Sequence, residues 1–189
     1  MRPKPVWQMQ SRKETIMKVK MLIAVCLAAL CAAYAQAQEP KLPKKVKNVE
    51  ILTLDNKAAT LPNFGKKNLL IFYIDPEKHK QNEAFTFEME ENHKAEGENL
   101  YGFGIINAAD AWYPNKIIRS MAHKRTEKNG ATVLTDENHI VRDAWGLGDC
   151  NDMFVLLVVS KEGELVYCHK GELSRADIDD FYKFIEAYK

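Results

Sequence analysis

Seven consecutive residues, Asn68–Ile74 (NLLIFYI), carry no charge and no alternating polar face. Successive side chains of a strand point to opposite sides, so a run that does not alternate needs cover both above and below. The run stops at Asp75-Pro76, where proline withholds a ladder donor and biases the residue before it away from helix. The chain must therefore build a sheet around a buried central strand, with other elements packed on both faces.

The flanking pattern supplies those elements. Residues 49–54 alternate, Asp55-Asn56 turns, and residues 58–61 return, which predicts an N-terminal β-hairpin. A loosely helical stretch over residues 81–95, with Ala84, Phe85, Phe87 and Met89, stops at Gly97. Residues 100–106 read as a second strand. Pro114 opens a helix that ends before Gly130 and is expected to turn Ile117, Ile118 and Met121 inward. A short strand over 131–134 and a brief helix over 138–145, closed by Gly146, come next. Residues 153–159 and 164–169, joined at Lys161-Glu162-Gly163, make the clearest hairpin. Ser174 and Asp177 form a capping-box pattern ahead of Ile178, Phe181, Ile185 and Tyr188 at helical spacing. Alternating strands and helices predict parallel pairing in the first half, and the closing hairpin predicts an antiparallel edge.

The N-terminus carries a separate signal. Lys18 and Lys20 precede an uncharged apolar run over residues 21–33, which ends in Ala33-Tyr34-Ala35-Gln36-Ala37. That is the basic region, apolar core and A-x-A site of a secretory signal, with cleavage before Gln38. The run falls short of the roughly 20 apolar residues a spanning helix needs, so no stable membrane span is expected after cleavage. Residues 1–16 read as an upstream extension ahead of Met17. Cys26 and Cys31 follow Val25 and Leu30 rather than the small residue that lipid attachment requires, and they leave with the signal. Cleavage removes six of the 27 basic residues and one of the 26 acidic ones, leaving a net charge of −4. A nucleic-acid partner is therefore not expected. Residues 38–47, rich in Pro and Lys, read as a flexible lead-in, and residues 48–189 as one domain of ordinary size. The expected location is periplasmic or secreted.

The order of elements is similar to the thioredoxin-like fold: an α/β domain with a mixed central sheet flanked by helices, here with an N-terminal β-hairpin extension. Within residues 131–173, a short strand, Asp136, the pair Ala144-Trp145 followed by Leu147, a strand, a Lys-Glu-Gly turn and Lys170-Gly171 resemble the YtfJ family of exported bacterial proteins. The resemblance implies the fold and an extracytoplasmic compartment. It implies no defined chemistry.

A thioredoxin-like oxidoreductase carries Cys-x-x-Cys after the first central strand, at a helix N-terminus whose dipole lowers a thiol's pKa. Here that stretch is Ile74-Asp75-Pro76-Glu77-Lys78-His79 and continues to Glu83 without a cysteine. Dithiol exchange and peroxidase chemistry both lose their nucleophile. The cysteines remaining after cleavage are Cys150 and Cys168. The hairpin turn sets Cys168 opposite about Val155, leaving Cys150 roughly 16 Å farther along extended chain, too far for a disulfide without a fold-back.

On this fold the loop with Asp149, Cys150 and Asp152 lies beside the loop with Asp75 and His79. Three readings stay open there. Cys150 is a lone reactive thiol with His79 as base, the centre of a single-cysteine thiol oxidoreductase or peroxidase-like enzyme; or Asp75, His79 and Cys150 hold a borderline metal; or the polar groups cap local backbone and the thiol is inert. Trp112 offers an aromatic ledge for a ligand, although packing against the following helix is the plainer expectation. His93, His123 and His139 read as surface residues and Trp145 as core. The expected role is a non-redox binding or accessory protein of the cell envelope whose partner is a protein, a peptide or a small ligand. No cofactor is expected.

Overall fold

A computed structural model describes residues 40–189, and the signal-like segment over residues 17–37 lies outside the described residues. Eight strands form one sheet in the order β1-β8-β7-β4-β5-β6-β2-β3. They are β1 (Lys44–Lys45), β2 (Glu50–Thr53), β3 (Ala58–Thr60), β4 (Asn68–Ile74), β5 (Leu100–Asn107), β6 (Val133–Asp136), β7 (Phe154–Val159) and β8 (Glu164–Lys170). The α-helices among the described residues are α1 (Glu83–Glu91), α2 (Asn115–Asn129), α3 (Ile140–Trp145) and α4 (Arg175–Ile185).

The charge-free run becomes β4 and sits centrally, parallel to β5 and antiparallel to β7. The second parallel pair is β5 with β6, and the 50–60 hairpin adds to β6 as an antiparallel extension. The closing hairpin is also as expected in kind but shifted in register. Its turn pairs Val159 with Leu165, and a bulge after Val158 then sets Cys168 opposite Leu157, not Val155. One extra residue in a bulged strand is enough to move every later pair.

Each sheet face has its own core. On the first, Leu69, Ile71 and Tyr73 pack with Phe103, Ile105, Val155 and Leu157 beneath α3, whose Trp145 is fully buried. The Trp145 indole donates to the Lys47 carbonyl at 2.9 Å, and Lys44 donates to the Trp145 carbonyl at 2.6 Å. The stretch read as a solvated lead-in is thus tied to the domain from Lys44 onward, with Val46 in the core. Here burial of one valine and satisfaction of an indole N–H outweigh a local composition that favours solvent.

On the second face, Leu70, Leu156 and Val158 pack under Phe85 and Met89 of α1 and Phe181 and Ile185 of α4. The Ser174–Asp177 capping box is formed in both directions and fixes the start of α4. Right-handed crossovers place α1 and α2 over this same face, since β4, β5 and β6 lie side by side in order. Yet α2 belongs to neither core. Of the three residues expected inward, Ile118 alone is buried; Ile117 and Met121 are exposed, the latter by 63%. The helix stands off the sheet, and the gap beneath it is the largest opening described below.

Candidate functional site

Three features meet near the carboxyl ends of the parallel strands. The first is the loop that follows β4. Asp75 is buried, and its two carboxylate oxygens accept from the backbone of Glu77 at 2.9 Å and of Asp152 at 3.0 Å. Glu77 in turn accepts from the backbone of Trp112 at 3.2 Å. Burial, and then a hydrogen bond to the Glu77 carboxyl, push Asp75 up to about 6, while the same bond holds Glu77 below its ordinary value. With the backbone donors they accept, the two carboxyl groups tie three loops together. This is a structural device at the carboxyl end of the central strand β4.

The second feature is a buried polar chain on the first face. The Tyr73 hydroxyl lies 3.1 Å from Asn107 Oδ1 and 3.3 Å from Asp136 Oδ2. Burial first, then the Asp136 charge, drive that phenol far above its ordinary value, so it stays protonated. Asn107 donates to Asp110 at 2.7 Å and to the Cys150 carbonyl at 3.2 Å. Asp110 also meets His139 Nε2 at 2.6 Å. Asp136 accepts from the backbone of Ile140 and Val141 at the start of α3. His139, expected at the surface, is instead half-buried and held by Asp110. No spacing in the sequence links residues 29 positions apart, so this pairing was not readable there.

Cys150 closes that chain through its backbone carbonyl, which accepts from Asn107. It is fully buried in the first core, with its thiol 3.6 Å from the Gly148 carbonyl. Burial pushes the thiol up to about 11, against the lowering pull of Lys170. The thiolate, which is the nucleophile and the metal ligand, is therefore scarce at neutral pH. The thiol is free, so no bridge to Cys168 forms. His79 is exposed, with Nδ1 2.9 Å from the Pro76 carbonyl, and it borders the opposite face of the sheet. The thiol–imidazole pair is not assembled. Nor is the metal trio of Asp75, His79 and Cys150: no cluster of three His, Cys, Asp or Glu suited to a metal occurs among the described residues. In the 149–152 loop, Asp149 accepts from the backbone of Asn151 and Asp152 faces Lys78 at 3.5 Å, which is local capping and surface pairing.

The third feature is the opening under α2, a groove of about 640 Å³. Phe72 and Ile74 of β4, Ile106 of β5 and Phe154 of β7 form its floor; Ile118, Met121 and Ala122 of α2 form one wall and Thr86 of α1 the other. Its existence follows from β5. Leu100, Gly102, Gly104 and Ile106 point to this face, and two of the four have no side chain to fill the space under α2. A Cβ on Gly102 would meet no neighbouring atom within 4 Å, and on Gly104, which lines the groove, it would come within 3.3 Å of Val133 Cγ2. Alternate glycines in a strand mark a bare strip or a close approach, and that was the one signal in the sequence that pointed here. At the open end, Trp112 and Tyr113 stack with ring centroids 4.3 Å apart, and Trp112 is 75% exposed. The packing expected of Trp112 does not occur, because its backbone is pinned outward by Glu77. The volume is that of pockets that enclose small organic ligands, typically about 300–1,000 Å³.

Comparison with solved structures gives the fold. An exposed lipoprotein thioredoxin from Streptococcus pneumoniae is 16% identical with a TM-score of 0.54, over 73% of this chain and 99% of that one. A DsbF homologue from Corynebacterium diphtheriae is 15% identical with a TM-score of 0.57, over 77% and 87%. A peroxiredoxin-like protein from Aquifex aeolicus is 14% identical with a TM-score of 0.53, over 78% and 88%. Identities this low carry the thioredoxin-like architecture and nothing finer. No curated protein matches the sequence. One family does, over residues 65–188, a span that includes the carboxyl pair, the polar chain and the groove: the chain belongs to the bacterial proteins of unknown function named YtfJ_HI0045.

Proposed function

We propose that the protein is an exported binding or accessory protein of the bacterial cell envelope, without thiol–disulfide chemistry, that holds its ligand in the apolar groove under α2. The groove carries the reading. A thioredoxin-like sheet ordinarily spends both faces on helix packing, whereas here half-buried Phe72 and Ile74 and exposed Met121 are left facing open space. An apolar surface of that kind, concave and rimmed by polar groups, is where a ligand gains most from leaving water.

The absence of redox chemistry is supported by the loop after β4, which holds Asp75 and Glu77 and no cysteine, and by the burial of Cys150. Export is supported by the basic, apolar and small-residue pattern over residues 17–37.

Titration of the purified protein with a neutral solvatochromic dye such as Nile red tests the groove. Saturable binding at one dye per chain is expected, and the Ala122→Trp variant, which places an indole in the groove from the α2 wall, should abolish it. Dye binding that is unsaturable, or that survives Ala122→Trp unchanged, would remove the basis for the proposal.

A further inference from the structure

Resting on the groove as the ligand site, we infer that its natural occupant is an amphiphile with one anionic head and an apolar chain, of the class of long-chain carboxylates, held at the head by Arg125. The polar groups along the lining differ in what they have left to offer. The Gln81 side-chain oxygen accepts from the backbone of Phe154 at 2.7 Å. The hydroxyls of Thr86 and Thr126 donate to carbonyls of their own helices at 3.0 and 3.1 Å. Glu77 is engaged by the Trp112 backbone and by Asp75.

Arg125 is different. It stands on α2 at the groove wall, exposed, and among the described residues its guanidinium has neither a hydrogen bond nor an ion pair. Arg119, a turn and a half earlier on the same helix, is paired with Glu137. An unpaired guanidinium beside apolar walls presents a fork of donors that matches a carboxylate in two parallel bonds.

The charge at the far end sets the direction. Glu77 lines the groove beside Trp112, next to His79 whose Nδ1 meets the Pro76 carbonyl, so an anionic head is disfavoured beside the Glu77 carboxylate and an apolar tail is accepted. From Arg125 back to Pro114 the helix covers about 16 Å, which matches a chain on the order of a dozen methylenes. Each methylene buried along that length is worth about a fourfold gain in affinity.

The test is displacement of Nile red by dodecanoate, dodecanol and dodecyltrimethylammonium below their aggregation limits, on the wild-type protein and on Arg125→Gln. Arg125 is exposed and unpaired, so the variant keeps the fold. Dodecanoate should bind about five- to tenfold more tightly than dodecanol to the wild type, the cation weakest, and the preference should vanish in Arg125→Gln with dodecanol unaffected. Equal binding of dodecanoate and dodecanol by the wild type would overturn the anionic class while leaving the groove as a binding site. Failure of Nile red itself to bind would overturn the groove and this inference together. Dye binding lost as protein concentration rises, or gained only once residues 1–37 are removed, would make a second copy or the chain's own apolar run the occupant and would likewise overturn it.

Discussion

Replacing Asp75 with Asn probes the carboxyl pair that holds three loops together. The Asp75 carboxyl, 1% exposed, is raised from its ordinary 3.8 to about 6. That rise of about two units corresponds to an upper limit of about 3 kcal/mol. The folded chain holds this proton more tightly than the unfolded one. Its contribution is therefore fully present below about pH 4 and is lost as pH climbs through about 6. Glu77 is shifted the opposite way by the same hydrogen bond. That offsets part of the uptake at the acid end and leaves a net fall of roughly 1–2 kcal/mol between about pH 5 and about pH 7.5. Asparagine has no proton to lose over this range. It also turns an amide N–H toward one of the two backbone donors that Asp75 accepts, a cost of about 1–3 kcal/mol at every pH. Urea unfolding of both proteins, followed by tryptophan fluorescence at the two ends of that interval, separates these effects. The advantage of the wild type over Asp75→Asn should shrink by roughly 1–2 kcal/mol as pH rises. Parallel pH dependence in the two proteins, or an advantage that widens with pH, would refute the raised affinity of Asp75 for its proton.

Three further outcomes are expected. Cys150 should resist alkylation in the native protein and react at once in denaturant, with no reductant needed; mass spectrometry of the labelled peptide checks this, and fast native labelling would contradict the buried thiol. Trp145→Ala should cost about 3–5 kcal/mol of unfolding free energy, while Trp145→Phe, which leaves the Lys47 carbonyl without its donor, should cost about 1–3 kcal/mol. Asp136→Ala strips the acceptor from the first backbone donors of α3 and from Tyr73; a loss of about 2–4 kcal/mol is expected, and hydrogen exchange should show the added opening at Ile140 and Val141.

Much of the fold is legible because its signals are local. The uncharged run of β4, the Ser174–Asp177 pair that starts α4 and the Gly146 that ends α3 each act within a few residues, and each stands where the pattern sets it. What escapes the sequence depends on which surface a helix is offered. The α2 segment has inward-reading apolar residues at helical spacing, but the strip it should cover holds glycines on β5, so Met121 lines an open groove instead of a core and Ile117 stays exposed. Residues 44–47 look solvated by composition and are recruited by a partner about a hundred positions away, Trp145. The same holds at the candidate sites. Asp75 is readable as unusual because it stands with proline at the end of the central strand, whereas the Asp110–His139 pair, and the lack of a partner for Arg125 among the described residues, are relations between elements that no spacing records.

The two ends of the sheet have a consequence for how the molecule meets its own kind. An eight-stranded sheet with long apolar strands at its centre is a template for fibrous assembly wherever a full-length border is left open. Here the outermost strands are β1, two residues long and made of lysines, and β3, three residues long. A second chain approaching the β3 border finds only a few unpaired backbone groups, and at the other border the two lysines of β1 cover Glu164 and Leu165 of β8, while Val166–Lys170 has no strand beyond it among the described residues. Strand-by-strand growth is hindered where β1 and β3 stand, and the apolar strands β4 and β7 that would favour it lie in the interior of the sheet. The N-terminal residues that look like a spacer therefore also serve as a guard against aggregation.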